Sequence, residues 1–128
     1  MNLVAQYTPS ISGEVLCPGD KSISQRAVII GSLLNEDIEI SGFLNGEDPI
    51  STANALNAIG SSIKINGTSV SIKKRDIPFK DPSVNVDLGN SGTGMRLMMG
   101  LISSLGIKAT LVGDESLTKR PMLRVANP

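Results

Sequence analysis

Two polar turns in this chain have the composition of anion sites. One reads Gly19-Asp20-Lys21-Ser22-Ile23-Ser24-Gln25-Arg26 and the other Gly89-Asn90-Ser91-Gly92-Thr93-Gly94-Met95-Arg96. Gly19 to Gly89 and Arg26 to Arg96 are both 70 residues apart. Each turn opens an apolar run of helical period. Its backbone N–H groups therefore stand unpaired at the positive end of a helix. Small and hydroxyl residues leave room for an anion there, and a neighbouring Lys or Arg adds charge-assisted hydrogen bonds. Arg120, within Lys119-Arg120-Pro121-Met122, can grip a carboxylate or phosphate bidentately, which Lys119 cannot. Gly92 gives a small ligand close access to the backbone. Two such turns point to a substrate, or substrate pair, rich in phosphate and carboxylate.

Composition narrows the chemistry further. The chain has 128 residues, 40% hydrophobic and 19% charged, which suits one globular unit with a modest core. Twelve basic residues balance 12 acidic ones, so no net field draws nucleic acid or a membrane surface. Aromatics are 2% and Trp is absent, which argues against base-stacking platforms. Cys17 is the only cysteine, so no internal disulfide forms, and a reducing, cytoplasmic compartment fits. No secretory leader or membrane-length apolar run is present. Histidine is absent, which removes imidazole acid–base work and leaves little for a zinc site. Lys, Arg, Asp, Glu, hydroxyls and backbone N–H groups remain, and no metal is expected.

These residues must be placed by a mixed α/β (α+β) arrangement. Glu14 to Cys17 reads as a short strand, with Cys17 a small buried hydrophobe at its end. Ser24 to Leu34 reads as a buried helix, with Ala27, Val28, Ile30, Leu33 and Leu34 on a wide apolar face. Ile38 to Ser41 alternates like a strand. Asp48-Pro49 reads as N-cap and first residue of a helix that runs to Ile59 and stops at Gly60. Ser62 to Ile65 and Val70 to Ile72 read as a hairpin turning at Asn66-Gly67. After a charged connection, in which Lys73-Lys74-Arg75 reads as solvated loop, the order restarts. A strand is expected at Val84 to Val86, an apolar helix at Gly92 to Ser104 and a strand at Lys108 to Val112. A helix is expected to begin at Thr118 to Met122, with Pro121 in its first turn. Met95, Met98, Met99 and Met122 read as core filler. The repeat is helix, strand, helix, strand, strand, and its second copy is incomplete, so the chain reads as an N-terminal piece of something longer.

Three motifs then carry a family resemblance from about Gly13 onward. Pro18 to Ser24 with Arg26-Ala27, Leu88 to Thr93 with Arg96, and Gly113-Asp114 leading to Lys119-Arg120-Pro121-Met122 resemble 5-enolpyruvylshikimate-3-phosphate (EPSP) synthases. Gly46-Glu47-Asp48 and Ser116 to Pro121 look like the branch whose members are often poorly inhibited by glyphosate. The resemblance implies a chain roughly three times as long, in two similar domains, each of three βαβαββ repeats. Residues 1–18 would form an N-terminal strand and hinge packing with the second domain. Residues 19–128 would be a partial N-terminal domain, with repeat one at about 19–73 and a truncated repeat two at about 83–128. The implied reaction moves the enolpyruvyl group of phosphoenolpyruvate to the 5-hydroxyl of shikimate 3-phosphate, releasing phosphate, without metal or organic cofactor. The family usually acts as a monomer.

Carried over residue by residue, Lys21 would touch both substrates and is the best catalytic candidate. Ser22 and Arg26 would hold shikimate 3-phosphate. Gly92 and Arg120 would hold phosphoenolpyruvate, with Asn90, Thr93 and Arg96 shaping that pocket. Gln25 stands where the family usually has His, at a polar contact expected near the cleft. Gly92 stands where glyphosate-resistant members often carry Ala. The family's main acid–base residues have no counterpart in these 128 residues, so the chain alone is expected to be inactive. Two other readings compete. One is the related enolpyruvyl transferase acting on UDP-N-acetylglucosamine, which has Lys-Asn in place of Lys21-Ser22. The other is a non-enzymatic repeat domain that binds phosphorylated metabolites.

Overall fold

The computed structural model describes residues 2–127. Helix α1 spans Lys21–Leu33 and begins where the Asp20 side chain accepts the Ile23 N–H at 2.7 Å. Strand β1, Ile38–Ile40, follows a turn at Asn35. Helix α2 spans Glu47–Ala58, with Gly46 at its N-cap. Strands β2, Ile63–Asn66, and β3, Ser69–Ile72, form a hairpin. The three strands make an antiparallel sheet in the order β1-β3-β2. Its register lines Ile38, Ile72 and Ile63 in one row and Ile40, Val70 and Ile65 in the next. This apolar face meets the helices, while Glu39, Ser71 and Lys64 share the other face, as the period of two requires.

The second unit repeats the plan. Strand β4, Val86–Asp87, pairs in parallel with β5, Leu111–Val112. Between them runs helix α3, Gly92–Leu105, capped by Ser91 at its start and by left-handed Gly106 (φ 67°) at its end. Two short helices follow, α4 at Glu115–Thr118 and α5 at Leu123–Ala126. Helix α2 packs against both α1 and α3, so one core spans the two units. Leu56, Ile59, Phe43, Val86, Leu88 and Met98 lie fully inside it. Met95 is buried as well, and Met99 and Met122 pack against the core from its edge.

Several expectations change. Residues 2–18 form no strand: Glu14–Cys17 lacks a hydrogen-bonded neighbour, Val15 and Leu16 are exposed, and so is Cys17. Helix α1 buries Val28 and half-buries Ala27 as expected, but its inward face is centred elsewhere than on Ile30, Leu33 and Leu34. Ser24, Gln25, Val28, Gly31 and Ser32 point inward, while Ile30, Leu33 and Leu34 are exposed. Small side chains let α1 approach the sheet closely; a Cβ on Gly31 would stand 2.7 Å from Ile72 Cδ1. Asp48 is not the N-cap of α2, because the helix begins one residue ahead of it, at Glu47. Pro49 still lies in the first turn, where its missing N–H removes no helical bond. The hairpin loop is Gly67-Thr68 rather than Asn66-Gly67, since Asn66 pairs with Ser69 and Gly67 takes φ 59°. Pro121 separates α4 from α5 instead of lying in a helical first turn. Arg75 is no solvated loop residue: it donates to the Ser32 carbonyl and covers the Phe79 ring at 3.8 Å, tying the connection to the end of α1.

The turn before α1 lies directly on the turn after β1. A Cβ on Gly19 would stand 2.8 Å from the Leu44 nitrogen and would overlap the Gly42 carbonyl. Gly100, by contrast, has nothing within 4 Å of a built Cβ and lies inside α3. Gly19→Ala should therefore destabilise the chain by about 1–3 kcal/mol through overpacking against backbone. Gly100→Ala should stabilise it by about 0.5–1 kcal/mol through helix propensity. Urea denaturation of both variants measures this, and a neutral Gly19→Ala would refute the close contact.

Candidate functional site

The first turn is built by the start of α1. The Asp20 carboxylate takes the Ile23 N–H and the Asp20 carbonyl takes the Ser24 N–H. The Lys21 and Ser22 N–H groups have no partner among the described residues. Lys21 Nζ pairs with Asp48 Oδ2 at 2.9 Å, its side chain half exposed. Arg26, one turn on, folds back to the Ser22 carbonyl at 3.1 Å and stays exposed. Lys21, Ser22 and Arg26 thus share one helix start, with Asp48 as the internal counter-ion. Sequence reasoning gave Asp48 a capping role. Its pairing with Lys21 depends on how α1 and α2 cross, which local residue types do not encode.

The second turn is built by the start of α3. Ser91 Oγ accepts the Gly94 N–H at 3.1 Å and the Ser91 carbonyl accepts that of Met95 at 2.9 Å. The Gly92 and Thr93 N–H groups are left without partners among the described residues. Arg120 lies over this start: a Cβ on Gly92 would stand 2.8 Å from Arg120 Nη1. Arg120 Nη2 donates to Asn90 Oδ1 at 2.6 Å, and Asn90 Nδ2 donates to Asp114 Oδ2 at 2.6 Å. Asp114 also caps α4 through the Leu117 N–H at 2.7 Å. Asn90, Gly92 and Arg120 therefore form one group, with Thr93 half-buried beside it. Arg96 stands a turn further along α3 and joins no hydrogen bond of this group. Its Nε is buried without a partner among the described residues.

The two turns meet through a residue whose location the sequence did not reveal. Gln25 is fully buried, away from any open contact. Its Nε2 donates to Thr52 Oγ1 at 2.9 Å and to Ser91 Oγ at 2.8 Å, with the Asp48 carbonyl 3.4 Å away. One amide thereby connects α1, α2 and the cap of α3. A signal for it exists, because Gln25, Val28 and Ser32 follow the i, i+3, i+7 spacing of one helix face. Among the described residues no three His, Cys, Asp or Glu side chains converge as a metal site would need, and no helix is long and apolar enough to cross a membrane.

Comparison with known proteins bears on this geometry. The family model described as EPSP synthase (3-phosphoshikimate 1-carboxyvinyltransferase) matches residues 6–128. A 3-phosphoshikimate 1-carboxyvinyltransferase of Ruthia magnifica subsp. Calyptogena magnifica is 48% identical over 98% of this chain and 29% of its own length. That of Petrotoga mobilis is 46% identical over all of this chain and 30% of its own length. A solved EPSP synthase from Acinetobacter baumannii superposes with a TM-score of 0.82 at 38% identity, over 90% of this chain and 26% of that one. The chain thus spans about 30% of the length of the curated relatives it matches.

Electrostatics within the second group predicts an acid limit. The Asn90 side-chain N–H, and then the Leu117 backbone N–H, hold the Asp114 carboxyl below its ordinary value of 3.8. Lys73, and then the Lys74 backbone N–H, do the same for Asp37. A carboxyl lowered in the folded state adds stability that is fully present above its unfolded value and is lost as pH falls through the folded one. Urea midpoints should therefore drop as pH falls below about 4. Asp114→Asn should flatten part of that decline, and an identical slope in variant and parent would contradict the assignment.

Proposed function

The chain belongs to the EPSP synthase family, and from that premise we propose that it supplies one wall of an enolpyruvyl-transfer site. The reaction proposed is transfer of the enolpyruvyl group of phosphoenolpyruvate to the 5-hydroxyl of shikimate 3-phosphate, with release of phosphate. It proceeds by addition and elimination through a tetrahedral intermediate. The observation that carries this reading is the pairing of two capped helix starts, each with two free N–H groups and a cation beside it, joined through one buried amide. Both substrates are polyanions, so bringing them together needs fixed donors that do not reorganise during reaction.

In this reading Lys21, Ser22 and Arg26 hold shikimate 3-phosphate. Lys21 exchanges its contact with Asp48 for one with substrate and reaches both ligands. Gly92, Thr93 and Arg120 hold phosphoenolpyruvate. Asn90 orients the guanidinium of Arg120 for it, and Arg96 lies at the margin. The remaining acid–base groups come from a second domain that also packs against residues 1–18. Residues 19–73 and 83–128 count as the first repeat and part of the second. A monomeric, cytoplasmic enzyme fits this chemistry, and the 128-residue chain by itself binds without turning over. The relatives' shared description favours this substrate pair over the sugar-nucleotide reading.

Two outcomes test the assignment in an enzyme containing this chain. Lys21→Ala should lower kcat/KM by about 2–5 kcal/mol of transition-state stabilisation, because it removes a charged contact made to two anions. Ser22→Ala removes one neutral hydroxyl and should cost about 0.5–1.5 kcal/mol. Equal losses would count against Lys21 serving both substrates. The second outcome concerns glyphosate, which is longer than phosphoenolpyruvate. A methyl on Gly92 presses on Arg120 Nη1 at 2.8 Å, and the longer ligand has less room to yield. Gly92→Ala should raise Ki for glyphosate more than KM for phosphoenolpyruvate, and the Gly92 parent should be the more sensitive enzyme. An unchanged Ki/KM ratio would remove Gly92 from the pocket wall.

A further inference from the structure

We infer that Gln25 is a positioning residue that sets the phosphoenolpyruvate turn against the shikimate-phosphate turn; this rests on the reading of the site given above. Gln25 precedes Arg26 in the first turn, and Ser91 precedes Gly92 in the second. The hydrogen bond from Gln25 Nε2 to Ser91 Oγ at 2.8 Å is therefore one residue away from each site. Donor logic fixes the direction of the amide. The Thr52 hydroxyl gives its proton to the Asp48 carbonyl at 3.0 Å, and Ser91 Oγ already accepts the Gly94 N–H. Thr52 Oγ1 therefore faces Gln25 as an acceptor, which sets Nε2 toward it, and Ser91 Oγ has a second lone pair to accept from the same amide.

The other end of the amide has no such partner. Gln25 Oε1 is buried and accepts nothing among the described residues. A buried carbonyl without a donor is unfavourable, and an apolar side chain of the same size would avoid it. What such a side chain could not do is hold Ser91. Gly94 carries the same message. A Cβ there would lie 2.7 Å from Ser91 Oγ, 2.7 Å from Thr52 Oγ1 and 3.2 Å from Gln25 Nε2. The first turn of α3 thus lacks a side chain at the point where the three polar groups converge. The same amide lies 3.4 Å from the carbonyl of Asp48, a longer approach than those to Thr52 and Ser91, so its hold is on the start of α3 rather than on the Lys21–Asp48 pair.

Two measurements test this. In the 128-residue chain, the Gln25 side-chain amide protons should exchange slowly with solvent, and Ser91→Ala should speed their exchange about tenfold or more. Fast exchange in the parent, or no change in Ser91→Ala, overturns the bridge. In an enzyme containing the chain, Gln25→Leu fills the same space without a donor. It should raise KM for phosphoenolpyruvate about tenfold while KM for shikimate 3-phosphate stays within about twofold, although residue 25 lies on the shikimate-phosphate helix. Gln25→His keeps a ring N–H at that end and should restore most of the loss. Parallel rises in both KM values, no rise in either, or failure of His to restore would overturn the positioning role. A parent enzyme without enolpyruvyl transfer would overturn the synthase reading, while the exchange measurement still decides the Gln25–Ser91 bridge.

Discussion

Three helices begin at one place, and the rest of the structure depends on holding them there. Gln25 in α1, Asp48 and Thr52 in α2, and Ser91 at the cap of α3 are within hydrogen-bond reach of one amide. Each helix start carries roughly half a positive charge, so three starts side by side repel one another. The chain offsets this locally with the Asp20 carboxylate on α1 and with Glu47 and Asp48 in the first turn of α2. The residual positive character lies on the unpaired N–H groups of Lys21, Ser22, Gly92 and Thr93. In the proposed function a bound anion would complete the neutralisation, so the convergence of helix starts would itself make the site.

Close approach of the helices is what makes a single amide sufficient. Inward positions on α1 are Ser24, Gly31 and Ser32 around Val28, and the Ser24 hydroxyl takes the Leu44 N–H at 2.9 Å. Larger residues there would push α1 away from the sheet and from Ser91. The larger apolar residues of α1 occupy its outer face, where Ile23 and Ile30 are 69% and 56% exposed. Helix α2 transmits the arrangement, because its Leu56, and Ile59 at its C-cap, belong to the same core as Met98 and Leu101 of α3. A shift of α2 would move both anion turns together.

The two turns are held differently. Lys21 is a flexible point charge paired with Asp48 and half exposed, so in the proposed site it would be free to redistribute its contacts toward an anion. Arg120 is held through Asn90 by Asp114, which is itself fixed as the cap of α4. Its guanidinium plane is thereby oriented before any ligand binds, so less ordering remains for the binding step. As proposed sites, the first would be adaptable and the second pre-organised, on one scaffold.

Local chemistry made the starts of α1 and α3 legible in the sequence, and the alternation of Ile38, Ile63, Val70 and Ile72 gives the sheet its apolar face. The start of α4 was not legible: a helix was expected from Thr118 onward, whereas Asp114 caps one that ends at Thr118. The motifs around Lys21, Gly92 and Arg120 also identified the family. Long-range packing was not legible, because a periodic pattern shows that a helix has two faces without showing which one meets a neighbour. Sequence hydrophobicity therefore placed Ile30, Leu33 and Leu34 inside, while the structure buries Ser24, Gln25 and Ser32, whose small or hydrogen-bonding side chains permit close contact with α2 and α3. Asp-Pro marked the start of α2 but put Asp48 at the N-cap, a place that Gly46 takes in the structure. The pairing of Asp48 with Lys21, and the joining of Gln25 to Ser91 across 66 residues, exist only because three separate helix starts converge in space.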